Sequence, residues 1–316
     1  MQVFPMISLK FFARQCRPDN GQLCSVAEVL PKPSNQGFIY FSRYLVFLLM
    51  VLSLSGCTIQ LFYRQVDWLV PWYVDRQLDL NRSQKSELKQ LVSRQILWHR
   101  GIQVPAYVAT LTEWEAFFSA SYSRKEFDIL NLQTQNHMDV LTRHLLPDFS
   151  HFLYSLTSKQ RISLYRLVQE NNQEFYDEYL AEGIHLDKVR LSDSREAVIS
   201  WLGSVNEEQE KKLIDLTSKY QSTEAETMKN RENWLYRLKD ILESGASADI
   251  KSLKLSTLFL SPRESWSENY QTQFDFNGDI SVQLIEQMLK YASPHQKEHL
   301  LQRVKKWRKA FEAISE

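Results

Sequence analysis

Cysteine is nearly missing from this chain. There are 3 in 316 residues, at Cys16, Cys24 and Cys57. None follows Cys57, so a domain built from the remainder holds itself by its core, without disulfides. Gly (8) and Pro (9) are scarce as well. No alternating apolar–polar run is long enough to predict a strand. Nor does either sign of charge prevail, because 38 basic residues face 38 acidic ones. Five of those bases and two of those acids precede Cys57, which leaves a net charge of −3 on the part after it. Without a basic surplus, nothing marks a nucleic-acid binder, and without a like-charge run, nothing marks a charged tail. No G-x-S-x-G, P-loop or G-x-G-x-x-G sequence occurs after Cys57. Aromatic residues, in contrast, are plentiful. All 8 Trp follow Cys57, which is material for a large core.

One stretch sets the address. Arg43 precedes Tyr44–Leu54, an apolar core without charge, which leads into Leu54-Ser55-Gly56-Cys57. A charged start, a short apolar core and small residues at the cut make a secretory signal. The L-S-G-C ending resembles the lipobox of bacterial lipoproteins. That resemblance implies a diacylglycerol thioether on Cys57, cleavage before it, and acylation of the new amino group. It also favours the outer membrane, because Thr58 stands where an Asp tends to keep such proteins in the inner one. A retained single span is the alternative, since the 20 residues Tyr44–Tyr63 carry no charge. Ser53, Ser55, Gly56, Thr58 and Gln60 crowd its second half and favour the signal. Residues 1–43 contain Pro5, Pro18, Pro31 and Pro33 and no helical period. They read as a leader or a mis-called start, 44–56 as the signal core and lipobox, and 57–316 as a periplasmic helical domain.

Beyond Cys57 the periodicity is helical nearly throughout. Phe62, Val66, Leu69 and Tyr73 mark one helix, with Pro71 predicting a kink or break inside it. Leu88, Leu91, Val92 and Ile96 mark a second, expected to end near Trp98–Gly101. Phe127, Leu130, Met138, Leu141 and Leu145 mark another, expected to stop before Pro147. Leu164, Leu167, Val168, Phe175 and Tyr179 follow. The last is the cleanest: Leu300, Val304, Trp307, Phe311 and Ile314 form an apolar seam.

A cap residue, two variable residues, Gln, and a Leu four further on recur four times. Asn81 leads to Gln84 and Leu88, Thr157 to Gln160 and Leu164, Asn206 to Gln209 and Leu213, Ser293 to Gln296 and Leu300. A short polar side chain at the N-cap accepts from an orphan backbone N–H, and Gln three residues on reaches back to the cap's own N–H. Ser123 with Glu126 and Ser261 with Glu264 are further candidates, and Pro262 and Pro294 suit a first helical position. Gly101, Gly183, Gly203, Gly245 and Gly278 each fall where an apolar run ends, as expected of left-handed C-caps. The capped starts are irregularly spaced, which argues against a solenoid. The expected fold is all-α, an irregular multi-helix bundle of about eight to ten helices at usual helix lengths. If it has two lobes, the joint is near 183–194 or 245–260.

Asp67-Trp68-Leu69, then Trp98-His99-Arg100 with Pro105 and Tyr107, then Trp201-Leu202-Gly203 before Asn206-Glu207-Glu208-Gln209, resemble an uncharacterised family of bacterial lipoproteins. The resemblance covers most of residues 54–316. It implies an anchored helical domain and no particular activity. Locally, Leu156-Thr157-Ser158-Lys159-Gln160 is similar to the L-T-x-x-Q of small periplasmic stress chaperones, although helix capping alone accounts for it.

Among candidate sites, His295-Gln296-Lys297-Glu298-His299 matches the H-x-x-E-H of inverted zincins. A polar, capped first turn without a marked third ligand is no setting for zinc. His137, His144 and His151 read as boundary histidines with polar partners, with pH sensing as the alternative. Glu170, Glu174, Asp177 and Glu178 read as a solvated face, and Asp275–Asp279 as a helix-joining turn lacking the calcium-loop order. Trp98, Arg100 and Tyr107 are the candidate partner patch, since Trp, Arg and Tyr dominate binding hot spots. The competing reading packs them at a helix-turn-helix corner.

These features predict a lipid-anchored, non-enzymatic binding or scaffold domain facing the periplasm. The membrane engages it through lipid at Cys57, and an envelope protein is the expected partner. No metal, cofactor, nucleic acid or small-molecule substrate is expected. The alternatives are a periplasmic chaperone-like holdase and a hydrolase whose site the sequence does not display. A holdase should expose a large apolar patch, and an enzyme should show a deep pocket with perturbed titratable groups.

Overall fold

The computed structural model describes residues 63–120 and 122–315. Cys57, the apolar core 44–56 and residues 1–43 lie outside them. Helices α1 (Val66–Leu78), α2 (Arg82–Trp98), α3 (Val104–Ser119), α4 (Arg124–Ser155), α5 (Ser158–Tyr179) and α6 (Leu186–Leu202) come first. They are followed by α7 (Glu207–Thr217), α8 (Glu224–Glu243), α9 (Ala248–Leu260), α10 (Glu268–Lys290) and α11 (Pro294–Ser315). No strand occurs among the described residues. The all-α expectation therefore holds.

All four repeated caps form. Asn81, Thr157 and Asn206 each make a reciprocal capping box, at the starts of α2, α5 and α7. Ser293 does the same for α11, its N–H 2.8 Å from Gln296 Oε1 and its hydroxyl accepting from Gln296 N–H at 3.2 Å. The boxes are also joined in pairs across the fold. Gln84 and Gln160, both buried, exchange amide bonds of 3.0 and 2.8 Å. Gln84 Nε2 also donates to the Ser155 carbonyl, and Gln160 Nε2 to that of Asp79. In the second pair Gln296 Nε2 donates to Gln209 Oε1 at 2.8 Å and to the Ser204 carbonyl, while Gln209 Nε2 donates to Met288 O. Each Gln thus closes a helix start and ties it to a distant one. Burial without such partners would cost the full desolvation of the amide.

Several helices run past the stops read from sequence. Instead of ending near Trp98–Gly101, α2 continues through a π-helical turn, His99–Gln103, into α3. The reason is Pro105. It has no N–H for the Gly101 carbonyl and its ring crowds that carbonyl, and the wider turn, closed by Val104 N–H to His99 O, absorbs the mismatch. Similarly, α4 passes through Pro147 because packing on both sides of it outweighs the local cost. Phe127 and Leu130 are buried at its start, Phe152 and Leu153 at its end. α1 continues through Pro71 without a break.

The C-cap expectation holds for one of the five glycines, Gly203, which caps α6; Gly183 lies three residues beyond Leu180, the cap of α5. Gly183 (φ 85°) and Gly203 (φ 81°) are left-handed. Gly101 lies in the π turn, Gly278 inside α10, and Gly245 beyond Ser244, the cap of α8. Asp79 (φ 54°) closes α1 in the left-handed form instead. Ser123 caps α4 as expected. Ser261 makes no side-chain cap bond, and Pro262 opens a short 3-10 turn. Asp275–Asp279 lies within α10 rather than in a joining turn.

Two groups of buried side chains form the interior. The first gathers Leu88, Leu153, Leu238, Leu242 and Leu255 from α2, α4, α8 and α9, with Tyr165 of α5. The second gathers Leu202, Leu213, Leu284, Met288 and Val304 from α6, α7, α10 and α11. The start of α4 adds Phe127 and Leu130 to a smaller aromatic group with Phe117 of α3. Of the expected joints, 183–194 contains the start of α6. The other, 245–260, is mostly α9, whose Leu255 and Leu258 are fully buried.

Candidate functional site

Helix α3 carries only Glu113 and Glu115 as charges and is apolar on most of its faces. Such a helix must be covered on several sides. α11 packs along one side of it and α4 along another. α6 and α10 close the remainder around a cavity of about 760 Å³. Its walls include Leu111, Trp114 and Phe118 of α3, Val198 of α6, Leu284 of α10 and Val304 of α11. Met138, Ala197, Trp201 and Ile285 also line it and are exposed, so they form its rim. Ligand pockets typically occupy about 300–1,000 Å³ and are mostly apolar with a few placed polar groups.

The polar groups here are mostly turned on one another. Thr110 Oγ1 lies 2.8 Å from His137 Nε2. Trp114 Nε1 donates to Thr134 Oγ1 at 2.9 Å, and Thr134 donates to the Leu130 carbonyl. The Tyr220 and Ser281 hydroxyls are 2.9 Å apart. No Asp, Glu, Lys or Arg is among the lining residues. Burial lowers the pKa of His137 and raises that of Tyr107. Both are therefore neutral near pH 7, and the lining carries no charge there.

The three sequence-predicted patch residues sit around the π turn, all half-buried. Trp98 stacks on His144, ring centroids 3.5 Å apart. Arg100 lies over the Tyr63 ring. Tyr107 lines the cavity and meets His99, His137 and Phe311 edge to face. The three face different neighbours instead of one shared surface. Tyr63 extends the row outward, its hydroxyl 3.0 Å from His99 Nδ1. Burial lowers the pKa of His99 as well.

The other candidates are placed as follows. His137, His144 and His151 share α4, since Pro147 does not divide it. His151 pairs with Glu87 at 2.9 Å. His299 packs its ring against Gly203 and bonds the Trp201 carbonyl, while His295 is exposed. Among the described residues no His/Cys/Asp/Glu cluster suits a metal, and no helix is long and apolar enough to cross a membrane. Glu170, Glu174 and Asp177 are exposed, and Glu178 is half-buried. Sequence reasoning missed the cavity and its Thr110–His137 pair. The available clue was the nearly uncharged span from Val104 to Phe118.

Residues 76–271 match a family described as a family of unknown function, DUF6279. The chain belongs to that family. The DUF6279 segment contains the π turn and the cavity walls on α3, α4 and α6; the walls on α10 and α11 lie beyond residue 271. Trp98–Arg100 and Trp201–Gly203 fall inside it, and Asp67-Trp68-Leu69 precedes it. No curated protein and no solved structure matches the chain.

Proposed function

We propose that this is a lipid-anchored envelope protein of the bacterial periplasm, tethered to the outer membrane through Cys57, whose helical domain binds a neutral, apolar molecule. The address rests on Arg43, the apolar run and Leu54–Cys57, with Thr58 behind them. The binding reading rests on one observation, the uncharged cavity of about 760 Å³ between α3, α4, α6, α10 and α11. Apolar walls favour an apolar occupant in proportion to the area withdrawn from water. A charged ligand would find no partner there and would lose its hydration. The cavity supports this reading more directly than a docking patch for an envelope protein, because Trp98, Arg100 and Tyr107 pack on His144, Tyr63 and Phe311.

The test is titration of the intact, lipidated protein with a fluorescent long-chain fatty alcohol. Saturable binding should be lost in Ala197→Trp, which plugs the rim, with the helical signal unchanged. Equal binding by the plugged variant, or none by the native protein, overturns the reading.

A hydrolase is the second reading, favoured by Thr110 Oγ1 lying 2.8 Å from a neutral His137. A hydroxyl beside a base is the minimum of a nucleophilic pair. Thr110→Val separates the two readings. It would abolish ester cleavage by a hydrolase and leave fatty-alcohol binding intact in a binding domain.

A further inference from the structure

We propose that the surface of the domain around Tyr63 rests on the phospholipid bilayer, with Trp68, Trp72, Leu97 and Ile102 at headgroup level. The inference builds on the lipid-anchor reading and adds an orientation to it. Tyr63 is fixed to the body, its hydroxyl 3.3 Å from the Ile96 carbonyl and 3.0 Å from His99 Nδ1. Five residues separate it from Cys57, which makes six residue steps. Six steps span at most about 21 Å whatever their conformation. An acylated Cys57 sits at the bilayer surface, so Tyr63 and the surface around it cannot stand far from it.

The chain just after Tyr63 and the turn around its partners Ile96 and His99 expose apolar side chains that the fold does not cover. Leu97, next to Ile96, is 68% exposed, and Ile102, three residues after His99, is 59% exposed. Trp68 and Trp72 on α1 are 60% and 45% exposed and stack on each other at 6.0 Å. Trp prefers the membrane–water interface, where its ring is half apolar and its N–H stays wet. Arg64 and Arg76 are exposed beside them, with the Arg76 guanidinium 5.6 Å from the Trp72 ring. Cations in this position suit anionic headgroups. A second copy of the chain or a partner protein would also cover apolar side chains. The short tether favours the bilayer, because the lipid holds the surface around Tyr63 at the membrane before any partner arrives.

The test uses the lipidated protein in vesicles of phosphatidylethanolamine and phosphatidylglycerol. A polarity-sensitive dye is placed on Trp72→Cys, Ile102→Cys or Leu253→Cys. The last is a control on α9, 70% exposed. The thioether blocks Cys57, so the introduced thiol reacts alone. The dyes at 72 and 102 should shift to the blue and be quenched several-fold more strongly by brominated acyl chains than the dye at 253. Equal quenching at all three positions overturns the docking face. Blue-shifted dyes at 72 and 102 that brominated lipid does not quench mean a protein covers the face, and also overturn it. Intact mass separates the two readings: a protein without acyl chains on Cys57 removes the anchor and this inference together, whereas an acylated protein with water-exposed dyes removes the inference alone.

Discussion

At the scale of single residues, the most informative groups are His99 and His137. Both are pulled below the ordinary histidine pKa of 6.5 by burial. His99 faces the Tyr63 hydroxyl and the Tyr107 ring, with Arg100 next to it in the chain; His137 faces Thr110 and Tyr107. In the unfolded chain each ring protonates at about pH 6.5, while in the folded chain protonation waits for lower pH. The unfolded state therefore binds protons first, and folding stability falls as pH drops below about 6.5 towards the folded value. Above that window the contribution is fully present. The melting temperature should drop between about pH 7 and about pH 5, and His137→Phe should make that drop smaller. A variant with the native pH dependence would show that His137 does not contribute. The three regularly spaced histidines were visible in the sequence as boundary residues. Their partners were not, because Thr110, Trp98 and Glu87 come from other helices.

At the scale of elements, local chemistry was readable and long-range packing was not. The four caps were legible because a capping box closes within four residues. Gly203 was legible as a left-handed cap for a similar reason. The passage of α4 through Pro147 and of α2 through the π turn was not, because contacts far along the chain decide it. The pairing of caps was equally hidden, since Gln84 and Gln160 are 76 residues apart and Gln209 and Gln296 are 87. These pairs invite a double-mutant cycle. Gln84→Ala takes the amide donor from the Ser155 carbonyl and the acceptor from the Asn81 N–H, and Gln160→Ala does the same to the Asp79 carbonyl and the Thr157 N–H; each also removes both bonds between the two amides. Each should cost about 1–3 kcal/mol in denaturant unfolding, the penalty for an unmatched buried polar group. The double variant should cost less than the sum by about 0.5 kcal/mol or more. Strict additivity would mean the two amides do not stabilise each other.

At the scale of the whole molecule, the fold class was legible in the sequence but the cavity was not. Apolar seams on α10 and α11 look the same whether the facing side chains meet or stand apart around a void. Only the assembled helices distinguish the two, and here α3, α4, α6, α10 and α11 leave the space open. An open apolar space forgoes dispersion contacts that a filled core would have. A ligand that restores them binds the folded chain and not the unfolded one. Stability then rises with ligand by mass action, about 2.7 kcal/mol at a hundredfold excess over Kd. A long-chain fatty alcohol should therefore raise the melting temperature of the native protein in a concentration-dependent way. Ala197→Trp alters an exposed rim position, where substitutions usually change stability by less than about 0.5 kcal/mol. Without ligand the variant should melt close to the native protein, and with ligand it should show little further rise. If the ligand raises both proteins equally, it binds somewhere other than this cavity.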